Sequence, residues 1–320
     1  VSKTIISLGD LVLDIVAPVR FPVRGGDHHS LSDCLTTPGG AANFIITARH
    51  LGIEVIAAGA VGADAHGDAI RRPLQEQGVD THFVTALPGS TSTLVLTLTD
   101  RESGEHIFLG HYGEGPDIPY PAGLDTAIEQ ADAVFLMSYT LLEKRVVTLA
   151  LRALEHAHRV GTPIYLDAGP LIGLADQEQV KWALQRTHLF FLTDDEAPLV
   201  THGLQHENAY AALMTQGPKF AVVKHGPNGC TVVAADHTLH CPAYRVEKVV
   251  DTVGAGDCFD AAFLAGLLYR LPLEQCARLA NATGAVNASK IGAGINAPTA
   301  AEIRTVLEQA GQSVDYPWPE

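Results

Sequence analysis

From about Asp125 onward the chain alternates two patterns. Short apolar runs such as Ala133-Val134-Phe135-Leu136-Met137 are separated by longer stretches whose apolar residues recur every three or four positions. The spacing predicts helix 124–131, strand 133–138, helix 143–160, strand 163–167, helix 177–186, strand 188–192, helices 194–202 and 206–216, and strand 219–225. Alternation of this kind implies an α/β fold, a mostly parallel central sheet with helices on both faces. A first strand over Thr4–Leu8 ends at Gly9-Asp10, and a helix is expected from Gly39-Gly40 to about Leu51-Gly52.

Two stretches break the rhythm. Residues 15–38 are β-prone pieces cut by Pro18, Pro22 and Gly25-Gly26, and residues 91–112 are β-rich with a hairpin expected around Asp100–Gly104. Read together they form a small β lid. The α/β domain then takes 1–14, 39–90 and 113–312, and the tail from Ser313, with Pro317 and Pro319, reads as a loose terminus.

Composition narrows the function classes. At 320 residues, 47% apolar and 18% charged, the chain describes an ordinary globular protein with a large core. A net charge of −15 argues against nucleic acid or an anionic membrane as partner. No apolar run is long enough to span a bilayer and no signal peptide opens the chain. Cys34, Cys230, Cys241, Cys258 and Cys276 show no C-x-x-C spacing and read as reduced thiols of a cytoplasmic protein.

The stretch richest in chemistry is Asp251-Thr-Val-Gly-Ala-Gly-Asp257, followed by a small, apolar helix to Leu268. A glycine turn opening a helix presents free N–H groups and a positive dipole end to an anion. Asp257 at that point suits a hydroxyl that must lose its proton while attacking a phosphoryl group. Taken alone, the pattern is equally an ordinary tight turn with an acidic N-cap.

The run D-T-V-G-A-G-D resembles the C-terminal signature of the ribokinase-like (PfkB) family of carbohydrate and nucleoside kinases. Gly39-Gly40-Ala41-Ala42-Asn43 resembles that family's first signature, and Gly9 to Asp14 its N-terminal segment. The resemblance implies a ribokinase-like fold with a lid, and ATP-dependent transfer of a phosphoryl group to a hydroxyl of a sugar or nucleoside. It implies Asp257 as base, with the backbone of Gly254, Ala255 and Gly256 as anion hole. Asp14, Gly39, Gly40 and Asn43 would bind the acceptor; Asp10 stays a solvated loop acid.

On the nucleotide side, Thr193-Asp194-Asp195-Glu196 resembles the family's N-x-x-E, with threonine in place of asparagine, and Glu196 would help hold Mg²⁺, through water. Lys224-His225-Gly226-Pro227-Asn228-Gly229 resembles the turn beside the nucleotide, where Lys224 would meet phosphate charge and Gly226 and Gly229 allow close approach. Asn281 and Ala285 would wall the base. Asp251 and Asn296 are the candidate ligands of a K⁺ site. At Asp167–Leu171 the family's D-x-N-x-R has Gly169 and Leu171 for its asparagine and arginine, which favours a neutral acceptor. Lid sheets of this kind pair between subunits, so a homodimer is consistent with the resemblance, although edges are also protected in other ways.

Two other readings remain. A dinucleotide-dependent oxidoreductase needs G-x-G-x-x-G after the first strand, and Gly9-Asp10-Leu11-Val12 does not supply it. A non-catalytic sugar or nucleotide sensor on the same fold is favoured by Thr193 and opposed by the intact Asp257.

Overall fold

The computed structural model describes residues 2–31, 33–103 and 105–319; Gly104, in the expected hairpin, lies outside them. In chain order the strands are β1 (Thr4–Leu8), β2 (Leu11–Val19), β3 (Leu35–Gly40), β4 (Glu54–Gly62), β5 (Asp80–Leu87), β6 (Thr93–Asp100), β7 (His106–His111), β8 (Ala133–Met137), β9 (Ile164–Asp167), β10 (Leu189–Thr193), β11 (Phe220–Lys224), β12 (Cys230–Ala234) and β13 (Thr238–Cys241). The helices are α1 (Ala41–His50), α2 (Ala65–Glu76), α3 (Leu124–Gln130), α4 (Lys144–Val160), α5 (Gln177–Leu184), α6 (Ala197–Val200), α7 (His206–Thr215), α8 (Ala255–Leu268), α9 (Leu273–Ala288) and α10 (Ala300–Gln309).

The main sheet runs β13-β12-β11-β10-β9-β8-β1-β4-β5, parallel except at β12 and β13. Period-two alternation splits its side chains between two cores. Ile5, Phe135, Phe191 and Val222 pack with α1, α8 and α9, while Ile6, Leu136, Phe190 and Val223 pack against α3, α4, α5 and α7. Phe44 of α1 stacks on Phe135 at a centroid distance of 3.7 Å, fixing α1 across the sheet. Strand order reverses at β1, which lies between β8 and β4. In such sheets ligands gather at carboxyl ends beside the reversal. Asp10, Tyr139, Asp167, Thr193 and Lys224 all sit at or just beyond those ends.

The lid is a separate sheet of order β3-β2-β6-β7. Its strand β2 begins at Leu11, earlier than the expected Ile15, because Leu11 and Val12 already pair with Gly40 and Gly39. Asp14 therefore lies within a lid strand, and the Gly39-Gly40 pair ends another. The tail is docked, contrary to expectation. Tyr316 is 4% exposed, packs edge-on to Tyr269, and its hydroxyl donates to the Leu51 carbonyl at 2.6 Å. Cys230, Cys241, Cys258 and Cys276 are buried and Cys34 is exposed. No helix is long and apolar enough to cross a membrane among the described residues.

Candidate active site

Helix α8 begins at a left-handed Gly254, φ 74°. A β-carbon there would lie 2.4 Å from the Ala293 side chain and 3.1 Å from Nδ2 of Asn43, so only glycine fits. The Ala255 N–H is taken by the Thr252 carbonyl and the Cys258 N–H by that of Gly254. The open amides of the first turn are thus those of Gly256 and Asp257, one residue further on than the expected set. Helix amides without internal partners are where an anion is favoured.

Asp257 points from this turn toward α1. Its Oδ2 accepts a hydrogen bond from Asn43 Nδ2 at 2.8 Å, and Asn43 Oδ1 in turn accepts the Gly294 N–H at 2.8 Å. Burial raises the Asp257 carboxyl to about 6; the Asn43 bond and the Lys224 charge pull down, and Asp167 pushes up. Asp14 is 6% exposed, and no donor among the described residues reaches its carboxyl group. Burial, then the charges of Asp257 and Asp251, lift it to about 7. Its oxygens lie against Gly39, where a β-carbon would fall 1.9 Å from Oδ2. The acceptor residues Asp14, Gly39, Gly40 and Asn43 therefore come together on one side of Asp257.

On the other side opens a cavity of about 840 Å³. Asp257, Gly256 and Ala255 line one end; Thr193, Glu196, Lys224, Gly226, Gly229, Asn281 and Ala285 line the rest. Gly284, Ala285 and Ala288 give α9 a flat small-residue surface there. Asp257 is where this cavity and the acceptor residues meet.

Several residues differ in role from what the sequence suggested. Lys224 is fully engaged: its ammonium bonds Asp167 at 2.7 Å and Asp260 at 3.1 Å. Burial alone would lower its pKa, but Asp167, Asp260 and Glu196 hold it above the usual lysine value. It balances carboxylates rather than offering a free charge to phosphate. Asn281 donates to the Cys241 and Pro242 carbonyls, so its amide ties α9 to the loop after β13. Gly229 is required by the turn itself, since a β-carbon would lie 2.0 Å from the Cys241 carbonyl. Asp251 accepts from Val253 N–H and Gly292 N–H, and the Asn296 carbonyl faces the Lys290 ammonium at 3.3 Å.

Sequence reasoning left Asp10 a solvated loop acid, whereas its Oδ2 is buried; it named Asp167 only as the first residue of the D-x-N-x-R resemblance and did not single out Asp260. The signal for Asp260 was present, an acid within an otherwise apolar helix, which needs a buried cation. Asp167 ends β9, where strand ends gather ligands. Glu196 accepts the Thr193 N–H at 2.7 Å. Burial and the charge of Asp167 raise it to about 7, against the pull of Lys224. Asp167, Thr193 and Glu196 line the same cavity and offer only oxygen donors, a chemistry that suits Mg²⁺.

The pattern described as pfkB family carbohydrate kinase matches residues 2–300. The chain is 30% identical over 306 residues to an ATP-dependent ribose-1-phosphate kinase of Halopiger xanaduensis, covering 95% of this chain and 98% of that one. It superposes on Arabidopsis thaliana ribokinase complexed with ribose and ATP with a TM-score of 0.80 at 20% identity, covering 96% and 99% of the two chains. An E. coli protein of the same fold, solved in complex with ATP and Mg²⁺, gives 0.81 at 22% identity, covering 97% and 100%.

Proposed function

The chain belongs to the pfkB family of carbohydrate kinases, and on that premise we propose that it joins ATP and a sugar or sugar-like acceptor at Asp257. Asp14, Gly39, Gly40 and Asn43 hold the acceptor, and Asp257 takes the proton of its attacking hydroxyl. The N–H groups of Gly256 and Asp257 receive charge that builds on the transferring phosphoryl group. Gly226 and the small-residue face of α9 take the nucleoside part of ATP. Asp167 and Glu196 would hold Mg²⁺ through its waters, and that ion would supply neutralising charge to the phosphates. Positioning and charge stabilisation carry most of the rate, since phosphoryl transfer asks little covalent chemistry of a protein.

The observation that carries this reading is the Asn43–Asp257 bond, which aims one carboxylate between an amide-lined nucleotide cavity and the acceptor residues. ADP release against a panel of sugars and nucleosides tests it. Acceptor-dependent release that Asp257→Asn abolishes is expected; release no greater than with ATP alone, for every acceptor, overturns it. The sensor alternative draws no support from relatives that are kinases.

Two finer points belong to the proposal. Because Asp251 and the Asn296 carbonyl are otherwise engaged, turnover is expected to be indifferent to K⁺, agreeing within twofold between potassium and tetramethylammonium chloride. The lid edge strand β7 is exposed along its length, with Ile107, Phe108, Leu109 and Tyr112 each about half exposed. An apolar, unpaired edge of this kind invites pairing. It supports a homodimer through the lid, read by sedimentation as twice the chain mass and lost on Leu109→Lys.

A further inference from the structure

Asp10 stands between the end of β1 and the start of lid strand β2, with a left-handed backbone at φ 51°. Such a conformation is uncommon outside glycine and persists where the surrounding structure enforces it. Its Oδ2 is buried and has no hydrogen-bond partner among the described residues. The carboxyl group abuts Gly40, where a β-carbon would lie 2.6 Å from Oδ2. Asp14 lies beside Gly39 in a similar way, a buried residue whose carboxyl group meets no donor among the described residues. Each member of the glycine pair thus makes room for one acid.

Burial, then the charges of Glu143, Asp257 and Asp14, push the Asp10 carboxyl well above the usual carboxylate range, opposed only in part by the Ala41 N–H. Arg145, buried beside Glu143, directs its two terminal nitrogens to Glu143, the Ser90 hydroxyl and the Thr91 carbonyl. A buried carboxyl oxygen left without a partner costs stability unless a ligand supplies the missing donor. One such oxygen on Asp10, with the undonated carboxyl group of Asp14 and with Asp257 near it, asks for a ligand rich in O–H groups and free of negative charge.

We propose that Asp10 is a second acceptor-binding residue, which together with Asp14 takes hydroxyls of an uncharged polyol. The carboxyl groups of Asp10, Asp14, Glu143 and Asp257 turn away acceptors that already carry a phosphate or carboxylate. The inference rests on the kinase reading and deepens it by fixing the charge class of the acceptor. It adds no covalent step.

The test compares ADP release with matched pairs, ribose against ribose 1-phosphate and fructose against fructose 6-phosphate, in the wild-type protein, Asp10→Asn and Asp10→Ser. Sugar-induced rise in Tm, measured without ATP, reads binding separately. The wild type is expected to favour the uncharged member by about 100-fold or more in kcat/KM. Loss of one hydrogen bond to a carboxylate predicts an acceptor KM raised about 10- to 100-fold in both variants, with the KM for ATP unchanged. The sugar-induced rise in Tm shrinks in parallel. A better reaction with a phosphorylated sugar overturns the proposal. So does an acceptor KM within twofold of wild type in both variants, including variants that have only lost stability. Should no sugar be turned over while the rise in Tm still depends on Asp10, the kinase reading fails and the binding assignment stands.

Discussion

Asn43 holds Asp257 with one end of its amide and the Gly294 N–H with the other, at 2.8 Å each. A residue from the start of α1 thereby sets the direction of a carboxylate on α8 and the position of the loop between α9 and α10. Asn43→Ala removes both bonds and leaves the buried Gly294 N–H without a partner, a cost of about 1–3 kcal/mol. Asn43→Asp keeps the acceptor for Gly294 but sets a second carboxylate against Asp257. Both are expected to lower kcat about 10-fold or more. Only Asn43→Asp is expected to move the acid limb of the kcat/KM profile to higher pH, which a pH series on the two variants checks.

Activity and stability are expected to run in opposite directions with pH. Asp257 serves as base only when ionised, so kcat/KM should rise with pH through about 6 and level off above it. Burial lifts Asp14 and Glu196 to about 7 as well. Each of these groups binds its proton more tightly folded than unfolded, where a carboxyl titrates near about 4. Their contribution to stability is therefore full below about pH 4 and is lost as pH rises through about 7. Asp100 works the other way. The Phe21 and Ser103 N–H groups and the Ser103 hydroxyl hold it down to about 2, so its contribution fades only as pH falls through that value. The ligand-free Tm should fall between about pH 5 and pH 8, and Asp14→Asn should flatten that fall. A Tm that climbs over the same range contradicts the burial of these acids.

Lys224 bridges residues far apart in sequence, Asp167 on β9 and Asp260 on α8, and its loss would strand both. Breaking a buried pair by removing one partner costs about 3–5 kcal/mol, mostly through the charge left behind. Lys224→Met should lower unfolding free energy by about that much in a urea titration. Adding Asp260→Leu removes one stranded acid and should restore part of the loss. If the double variant is no more stable than Lys224→Met, the ammonium is not balancing Asp260.

These residues also show what a sequence can and cannot disclose. The parallel strands were readable because burial on both faces leaves continuous apolar runs; β9 and β10 fall within one residue of the expected spans. The lid start was misplaced because Leu11-Val12-Leu13 looks the same in either sheet, and only pairing with Gly39 and Gly40 assigns it. Asp257 and Asn43 were legible through their motifs, but their bond joins residues 214 positions apart. Asp10, beside Gly9, reads locally as a turn acid; its burial comes from β3 and α1 folding over it. The docking of Tyr316 on Leu51 spans 265 positions and has no local signature.

The fit between Asp14 and Gly39 offers the narrowest test of the acceptor side. A methyl group on Gly39 would fall 1.9 Å from Asp14 Oδ2 and 2.1 Å from its Cγ, well inside contact distance. Gly39 is not left-handed, so alanine meets no left-handed backbone penalty there, and the three atoms nearest its methyl group all belong to the Asp14 carboxyl group. Asp14 can relieve it only by rotating out of the position from which it faces Asp257. Gly39→Ala should therefore raise the acceptor KM about 10-fold or more while leaving the KM for ATP within twofold, since Gly39 lies outside the nucleotide cavity. Asp14→Ala in the same background should add little, because the carboxyl group has already been displaced. A double variant whose acceptor KM equals the product of the two separate effects would show that Asp14 and Gly39 act independently, against the contact between them.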